Sequence, residues 1–588
     1  MPLKTLLSGN EAIARGAWEA GCTFGSGYPG TPSSEILPAL TKLGECYTEW
    51  SVNEKCAFEA ASGASLAGAR CLVTMKHVGL NVAADPFFTQ SYTGVNGGMV
   101  VISADDPHMH SSQNEQDNRH YARAAKVPML EPATAQEAYD FTRLAYELSE
   151  RFDTPVMLRV VTRLCHSDGI VEVGERQAPA PCEPVKDPGK YVMIPARARQ
   201  RRVVMSERTE ALRAALPELG PNRMEPGDPA IGIIAAGVAY QYAKEAAPQA
   251  SFLKLGMTWP LDERLIRQFA ASVQKLYVVE ELDPYLATEV RALGLTVEAL
   301  PESLQRGELS PARVGAALQG QDVPPPEKSD LPLRPPQLCP GCPHRGVYVG
   351  LNRLKVYVTG DIGCYTLGSL PPLEALHTCL CMGAGIGQVH GLNQACGERQ
   401  KAVAVIGDST FIHSGITGLA NIAYNNSPST VVILDNSTTA MTGGQDHPGT
   451  GRTLSGRPGS KLDLEAICRG CGIEHVVTVD ALDLGAVQAA LREAMDLDAP
   501  AVVIARRACV LTGRPRGEPR TVLNDRCVQC GACLRIGCPA IYTVEHESGR
   551  RQPVIDPVLC FGCTLCAQVC PKDAIAMWEP QAAEGGVG

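Results

Sequence analysis

The sequence predicts a multidomain α/β chain, with parallel sheets covered by helices, that closes on a small α+β module dense in cysteine. Three observations carry that class. Short β-branched runs recur, each followed by glycine or a turn and then a helical pattern: Met99–Ile102, Val156–Val161, Ile231–Ile234, Leu276–Val279, Val403–Ile406, Val431–Leu434 and Val502–Ile504. Proline-rich breaks interrupt this alternation at 176–190, 321–338 and 511–520. Eight of the 23 cysteines fall between Cys527 and Cys570.

The alternation calls for parallel sheets because a strand returned to the same edge needs a crossover, normally a helix. The breaks read as linkers, proline keeping the backbone extended. They divide the chain into segments 1–180, 195–320, 330–517 and 518–588, in keeping with 588 residues at roughly 150 per domain. The composition, 45% apolar and 20% charged, is that of a globular chain able to bury several cores. A net charge of −10 with no basic face argues against a nucleic-acid partner. The longest apolar run, Ile231 to Tyr240, is too short for a membrane span of about 20 residues. Glu11, Arg15 and Glu19 stand where an export signal needs an apolar stretch, so a cytoplasmic location is expected. Clustered cysteines in such a chain point to metal rather than to disulfides.

In the third segment, the predicted strand 402–406 ends in Gly407-Asp408-Ser409, and the next ends in Leu434-Asp435-Asn436. This pairing resembles the thiamine diphosphate motif, GDG followed after about 25 residues by NN, with Ser409 and Asp435 as departures. The chemistry explains the pattern. A diphosphate carries several negative charges, so a hard cation, here Mg2+, must join it to the protein through oxygen ligands. Asp408 offers a carboxylate at the carboxyl end of a strand, where open α/β sheets bind ligands. Asn436 offers a neutral oxygen from the neighbouring strand, and by analogy the Thr438 main-chain carbonyl completes the set. The hydroxyls and glycines after Asp408 suit phosphate oxygens at a helix N-terminus. Upstream, His377–Gly391 (HTCLCMGAGIGQVHG), with Met382 and Gly383 at its centre, is similar to the small-residue helix that backs this cofactor.

Thiamine also needs a carboxylate against N1′ of its aminopyrimidine to promote loss of the C2 proton. The first segment offers Asn53-Glu54-Lys55 before the small-residue stretch Ala57–Arg70, which is similar to the glutamate-bearing helix of pyrimidine-binding domains. Glu54 is the expected residue, with Glu59 as local competitor. The second segment carries no catalytic motif, and Gly237 after a predicted strand there reads as a turn.

The tail runs Cys527-x2-Cys530-x2-Cys533-x4-Cys538-Pro539 and then Cys560-x2-Cys563-x2-Cys566-x3-Cys570-Pro571, an internal repeat of about 33 residues. Zinc also takes paired CxxC, but it needs neither a third cysteine at the next x2 step nor a trailing proline. The segment resembles a bacterial two-cluster ferredoxin, in which the proline-flanked cysteine ligates the other cluster. That resemblance implies one [4Fe-4S] cluster on Cys527, Cys530, Cys533 and Cys570, and another on Cys560, Cys563, Cys566 and Cys538. The first run departs from the pattern, with four residues before its last cysteine in place of three.

Thiamine motifs joined to a ferredoxin-like tail are a specific combination, and the chain resembles the 2-oxoacid:ferredoxin oxidoreductases. The resemblance rests on Gly27-Tyr28-Pro29-Gly30-Thr31-Pro32-Ser33-Ser34, Met75-Lys76-His77-Val78-Gly79-Leu80-Asn81, Cys339-Pro340-Gly341-Cys342-Pro343-His344-Arg345, Asp361-Ile362-Gly363-Cys364 and Ala440-Met441-Thr442-Gly443-Gly444-Gln445. It implies four domains in order: pyrimidine-binding, transketolase-C-like, diphosphate- and magnesium-binding, and ferredoxin-like with two clusters. Within the family the likeness is to the large subunit of the arylpyruvate branch, which implies a smaller beta subunit as partner. The implied reaction is oxidative decarboxylation of a 2-oxoacid, with coenzyme A taking the acyl group and ferredoxin two electrons. Thr31 and the Lys76-His77 pair become candidates for the substrate carboxylate and keto oxygen. Cys339, Cys342, Cys364 and Cys509 occupy positions that hold a third cluster beside thiamine in several relatives. A redox pair or buried thiols are the other reading of that set. A non-oxidative thiamine decarboxylase leaves the tail cysteines idle. A pure electron-transfer subunit leaves Glu54, Asp408 and Asn436 without a task.

Overall fold

The computed structural model describes residues 3–179, 183–324, 332, 335–396, 402–513, 516–545 and 551–579. Parts of the three proline-rich breaks (180–182, 325–331, 333–334 and 514–515) lie outside these residues. The chain forms two compact units, Met1–Pro332 and Leu333–Gly588.

All seven β-branched runs lie in strands that pair in parallel with a neighbour, as the alternation predicts. In the first unit a seven-stranded sheet has the order Met257–Trp259, Met129–Leu130, Val156–Val161, Met99–Asp105, Cys71–Lys76, Phe24–Gly27, Tyr47–Trp50. Its members Cys71–Lys76, Met99–Asp105 and Val156–Val161 are buried at every position, which is why the last two read as continuous apolar runs rather than as alternation. The edge strand Met257–Trp259 comes from the 195–320 segment and pairs antiparallel with Met129–Leu130. That segment also builds a four-stranded sheet, order Lys275–Val279, Asp228–Ala236, Ala250–Leu255, Arg223–Glu225. One core joins both segments, with Met129 and Met157 packed in the same cluster as Trp259, Ile266 and Phe269. The segments 1–180 and 195–320 therefore share a hydrophobic interior.

The second unit holds a five-stranded parallel sheet, order Tyr357–Thr359, Ala402–Gly407, Thr430–Asp435, Ala501–Arg506, His475–Asp480. The cysteine-rich tail adds two antiparallel pairs, Arg520–Val522 with Ile575–Met577 and Ile541–Glu545 with Arg551–Ile555. Ala540-Ile541 and Ala574-Ile575, the steps that follow each cysteine run, open one strand of each pair, so the sequence repeat is also a structural one. The tail is continuous with the core of the sheet domain: Ile536, Ala540 and Leu565 are buried with Val347, Leu484 and Val487. Gln568 adds two hydrogen bonds across this junction, accepting from the Leu484 N–H at 3.0 Å and donating to the Leu482 carbonyl at 2.8 Å.

One expected element is shorter than the sequence implied. The helix read across His377–Gly391 begins only at Ala384 and runs to Cys396. Residues before it turn through Gly383 at φ +88°, and an added Cβ there would lie 2.6 Å from Ser414 Cβ, so a glycine is required at the entry.

Candidate active site

Asp408 follows directly on the strand Ala402–Gly407, and Asn436 on the adjacent parallel strand Thr430–Asp435. Asp408, Asn436 and Thr438 are all buried. Asp408 Oδ1 accepts from the Ser409 N–H and Oδ2 from the Ser437 N–H, both at 2.8 Å, which fixes the carboxylate plane. The Asn436 carboxamide oxygen faces two other oxygens, Asp408 Oδ1 at 3.2 Å and the Thr438 carbonyl at 2.8 Å. Turned through 180°, the amide would donate to both. In either orientation the amide groups with the Asp408 carboxylate and the Thr438 carbonyl, and oxygens of these types are what a hard divalent cation takes. Burial pushes the Asp408 carboxyl above its ordinary range, and His447 opposes that shift.

The two departures from the motif have local explanations. Ser409 Oγ accepts a hydrogen bond from Thr439 Oγ1 at 2.8 Å, tying the turn after Asp408 to the loop after Asn436. Asp435 pairs with Arg506 Nε at 2.7 Å and accepts from the Ser437 N–H at 3.2 Å, so its charge is answered within the sheet.

Sequence reasoning passed over two histidines here. His344 is buried, and burial drives its pKa down to about 4, so the ring is neutral. Its Nε2 lies 3.4 Å from the Asn436 carboxamide, so the ring orients the amide that lies beside Asp408. His447 lies with Nε2 3.3 Å from Asp408 Oδ2, while its Nδ1 accepts from the Gly449 N–H at 3.1 Å, placing the ring proton on the side of the carboxylate. Asp361 is a third unrecognised member. It accepts from the N–H groups of Gly383 at 2.9 Å and Gly385 at 3.2 Å, capping the Ala384–Cys396 helix beside half-buried Met382. Burial raises its pKa to about 6.

In the first unit, Asn53 caps the helix Glu54–Leu66 by accepting from the Cys56 N–H at 2.9 Å, and Glu54 in the first turn is buried. Glu59, the alternative, is half exposed and paired with Lys55. A Cβ added to Gly79 would lie 2.6 Å from Glu54 Oε1 and 2.7 Å from its Cγ, so Gly79 is the floor on which the carboxylate rests. Thr31 follows Gly30, whose own Cβ position is 3.0 Å from Lys76 Cβ. Lys76 Nζ donates to the Ser111 carbonyl at 2.6 Å, and burial lowers its pKa to about 8. His77 Nε2 meets Asn114 Oδ1 at 3.0 Å. The polar ends of Lys76 and His77 are thus engaged by the 107–118 loop. Glu54 belongs to the first unit and Asp408 to the second.

The tail cysteines gather into two sets. One cavity is lined by Cys527, Cys530, Cys533 and Cys570, the other by Cys538, Cys560, Cys563 and Cys566, with the proline-flanked cysteines exchanged between the repeats. Cys538 lies in the second cavity despite the extra residue before it; Gly537, left-handed at φ 65°, takes up the turn. In each set burial pushes a thiol up, Cys533 in the first and Cys566, to about 12, in the second. Cys339, Cys342, Cys364 and Cys509 form a third neighbourhood: Cys364 interacts with Cys339 and Cys509, and Cys342 with Cys339 and Cys364. The Cys509 N–H donates to the Asn436 carbonyl at 3.0 Å, which puts this set against the oxygen-donor site.

Comparisons with known proteins match three stretches of the chain. Residues 15–208 match the model described as pyruvate flavodoxin/ferredoxin oxidoreductase, thiamine diphosphate-binding. Residues 361–505 match the thiamine pyrophosphate enzyme C-terminal TPP binding domain, and residues 526–574 the 4Fe-4S dicluster domain. The chain is 43% identical to the indolepyruvate oxidoreductase subunit IorA of Archaeoglobus fulgidus, over 97% of both chains. It is 42% identical to the subunit of that name from Methanothermobacter thermautotrophicus over 97% of both, and 39% identical to that of Pyrococcus horikoshii over 97% of this chain and 96% of the relative. The chain belongs to the IorA family of indolepyruvate oxidoreductase subunits. Its cofactors as an IorA-family chain are thiamine diphosphate and iron–sulfur clusters, and the expectation of α/β thiamine domains ending in a ferredoxin-like module holds. No described helix is long and apolar enough to cross a membrane.

Gly79 yields a test of the pyrimidine side. In Gly79→Ala the new methyl must displace the Glu54 carboxylate, and a misplacement of about 1 Å costs on the order of a hundredfold in a positioned step. The expected result is normal thiamine binding with C2-proton exchange slowed roughly tenfold to a hundredfold, read by NMR. Wild-type exchange in that variant would remove Gly79 from the positioning of Glu54.

Proposed function

We propose that this chain is the catalytic large subunit of an arylpyruvate-type 2-oxoacid:ferredoxin oxidoreductase. It converts a 2-oxoacid, coenzyme A and oxidised ferredoxin to acyl-CoA, carbon dioxide and reduced ferredoxin, working with a smaller beta subunit. The observation that carries this reading is a buried oxygen-donor site and cysteine-lined cavities built into one compact unit. A decarboxylase that released an aldehyde would have no use for the cavities.

Asp408, Asn436 and the Thr438 carbonyl hold Mg2+ against the diphosphate, while Met382, Gly383, Gly407 and Ser409 line the cofactor. Glu54 holds a proton relation to the aminopyrimidine. Once bound, thiamine supplies the electron sink for decarboxylation and the clusters supply one-electron capacity. Lys76 is the charge for the substrate carboxylate, with Thr31 and His77 beside it for the keto oxygen. Two of the ammonium's three donors point at Ser111, at 2.6 and 3.4 Å, which leaves one for a ligand. The cysteine sets are assigned as [4Fe-4S] ligands: Cys527, Cys530, Cys533 and Cys570; Cys538, Cys560, Cys563 and Cys566; and, nearest the thiamine, Cys339, Cys342, Cys364 and Cys509.

The sets also have an order. The Cys560 cavity is bordered by Gly341 and Arg345 from the CxxC loop, and Gly341, left-handed at φ 72°, brings that loop against Phe561 so closely that a Cβ would lie 2.5 Å from Phe561 Cβ. The Cys527 cavity ends the series at the surface, where Cys530 is exposed and Val528 is 54% exposed. Ferredoxin is assigned to that face.

The reading is tested by assembling the chain anaerobically with its beta subunit and assaying coenzyme A-dependent ferredoxin reduction on indolepyruvate and phenylpyruvate. Aldehyde release with no reduced acceptor would replace it with the non-oxidative decarboxylase. Cys530→Ser is expected to preserve a single turnover of CO2 release and to cut steady-state ferredoxin reduction at least tenfold. An unchanged rate would move the exit away from the tail.

A further inference from the structure

Arg345 is 1% exposed, one of the two most voluminous fully buried side chains among the described residues. It stands second in the helix His344–Leu354, directly after the CxxC loop. Its Nη1 donates to the carbonyls of Ile536 at 2.7 Å and Gly537 at 2.6 Å, and its Nη2 to those of Leu338 at 2.8 Å and Cys339 at 3.2 Å. Every acceptor is a main-chain carbonyl. Among the described residues no carboxylate forms an ion pair with it, and its Nε has no hydrogen-bond partner. Two other buried arginines are answered by carboxylates, Arg119 by Asp117 and Glu280 and Arg159 by Asp105 and Glu131, whereas Arg208 and Arg313, like Arg345, are held by main-chain carbonyls.

A buried guanidinium held in place but left unneutralised is costly unless an anion lies next to it. The guanidinium borders the cavity of Cys538, Cys560, Cys563 and Cys566. Lys572, the cation lining the outer cavity, is exposed and therefore screened by water.

We infer that Arg345, the buried one of the two arginines that line it, is a fixed counter-charge of the cluster site formed by Cys538, Cys560, Cys563 and Cys566, and that it raises that site's affinity for an electron. The inference rests on the reading of those four cysteines as ligands. One-electron reduction adds one negative charge to the site, and a positive charge fixed beside it in a low-dielectric interior stabilises the reduced form. The electron comes from the oxidation of the 2-oxoacid and passes on to the outer cluster, so none is gained or lost at Arg345. Four carbonyls hold the guanidinium without cancelling it, which a carboxylate partner would do. The carbonyls belong to the loop around Cys339 and the loop before Cys538, so the same side chain keeps the two cysteine sites adjacent.

The test is an anaerobic redox titration of the assembled holoenzyme, followed by electron paramagnetic resonance. Cys563→Ser first identifies the cluster signal that belongs to this site; an unchanged spectrum and iron content there would refute the ligand assignment, whatever Arg345 does. With the signal identified, Arg345→Gln is expected to lower its midpoint by at least a tenfold change in the one-electron equilibrium, about 59 mV. The signal of the Cys527 set should move less. Arg345→Lys, which keeps the charge, should retain a midpoint within that tenfold limit. An unmoved midpoint in the glutamine variant overturns the inference. If the glutamine variant does not fold, the lysine variant decides: a tenfold drop there means that charge is not what matters, and the inference falls.

Discussion

Asp408→Ala is expected to leave the protein without bound thiamine diphosphate while the tail clusters persist. The carboxylate is the charged member of the three-oxygen patch, and its oxygens are fixed by the Ser409 and Ser437 N–H groups. In the proposed site its removal would strand the Mg2+–diphosphate charge against Asn436 and a carbonyl, and breaking such a buried charge pair costs roughly 3–5 kcal/mol. At 1.4 kcal/mol per tenfold, affinity falls by more than two powers of ten. The cysteine cavities lie elsewhere in the same unit and make no use of Asp408, so iron content should stay at the wild-type value. Thiamine and iron are both measured after gel filtration. A normal thiamine content would take Asp408 out of the metal site.

Glu54→Gln separates binding from activation. The amide keeps the shape of the side chain on the floor made by Gly79, so the aminopyrimidine should still dock. It cannot hold the proton relation to N1′, and loss of a positioned acid–base group slows a step by roughly a hundredfold to ten-thousandfold. C2-proton exchange should fall by that factor with thiamine content unchanged, and 2-oxoacid turnover should fall with it. Exchange at the wild-type rate would transfer the role to another carboxylate, Glu59 being the nearest in sequence.

Much of this was legible from local pattern. Strands buried on both faces announce themselves as β-branched runs, and all seven that were read this way are strands. The division of eight tail cysteines into two groups of four follows from x2 spacing and the two prolines, because a tight loop gives the sulfurs few other places to go. The partners that orient those groups could not be read. His344 reaches Asn436 across 92 positions and Arg345 reaches Ile536 across 191, and no periodicity records such contacts. Gly79 was visible only as part of a motif; its reason, the Glu54 side chain lying over it, needs the helix Glu54–Leu66 and the turn after Lys76 to be packed first. The early start assigned to the Ala384–Cys396 helix has a plain cause: small residues continue upstream through Met382, and only the left-handed Gly383 marks the true entry. Met257–Trp259 joins a sheet whose other members precede it by more than ninety residues, so the proline break near 180 marks no break in the interior.

The ferredoxin-like tail has the outline of a portable cassette, yet Ile536, Ala540 and Leu565 are shared with the sheet domain through one interior. A carrier on a tether would shuttle, and its rate would follow the viscosity of the medium and the length of the tether. Here the cysteine sites are set into a single solid, with Gly341 pressed on Phe561 and Arg345 spanning two loops. The spans an electron must cross are therefore fixed at folding, as in a soldered wire. On the proposed electron route, the step left to diffusion is the arrival of the acceptor, which the reading above assigns to the Cys530 face.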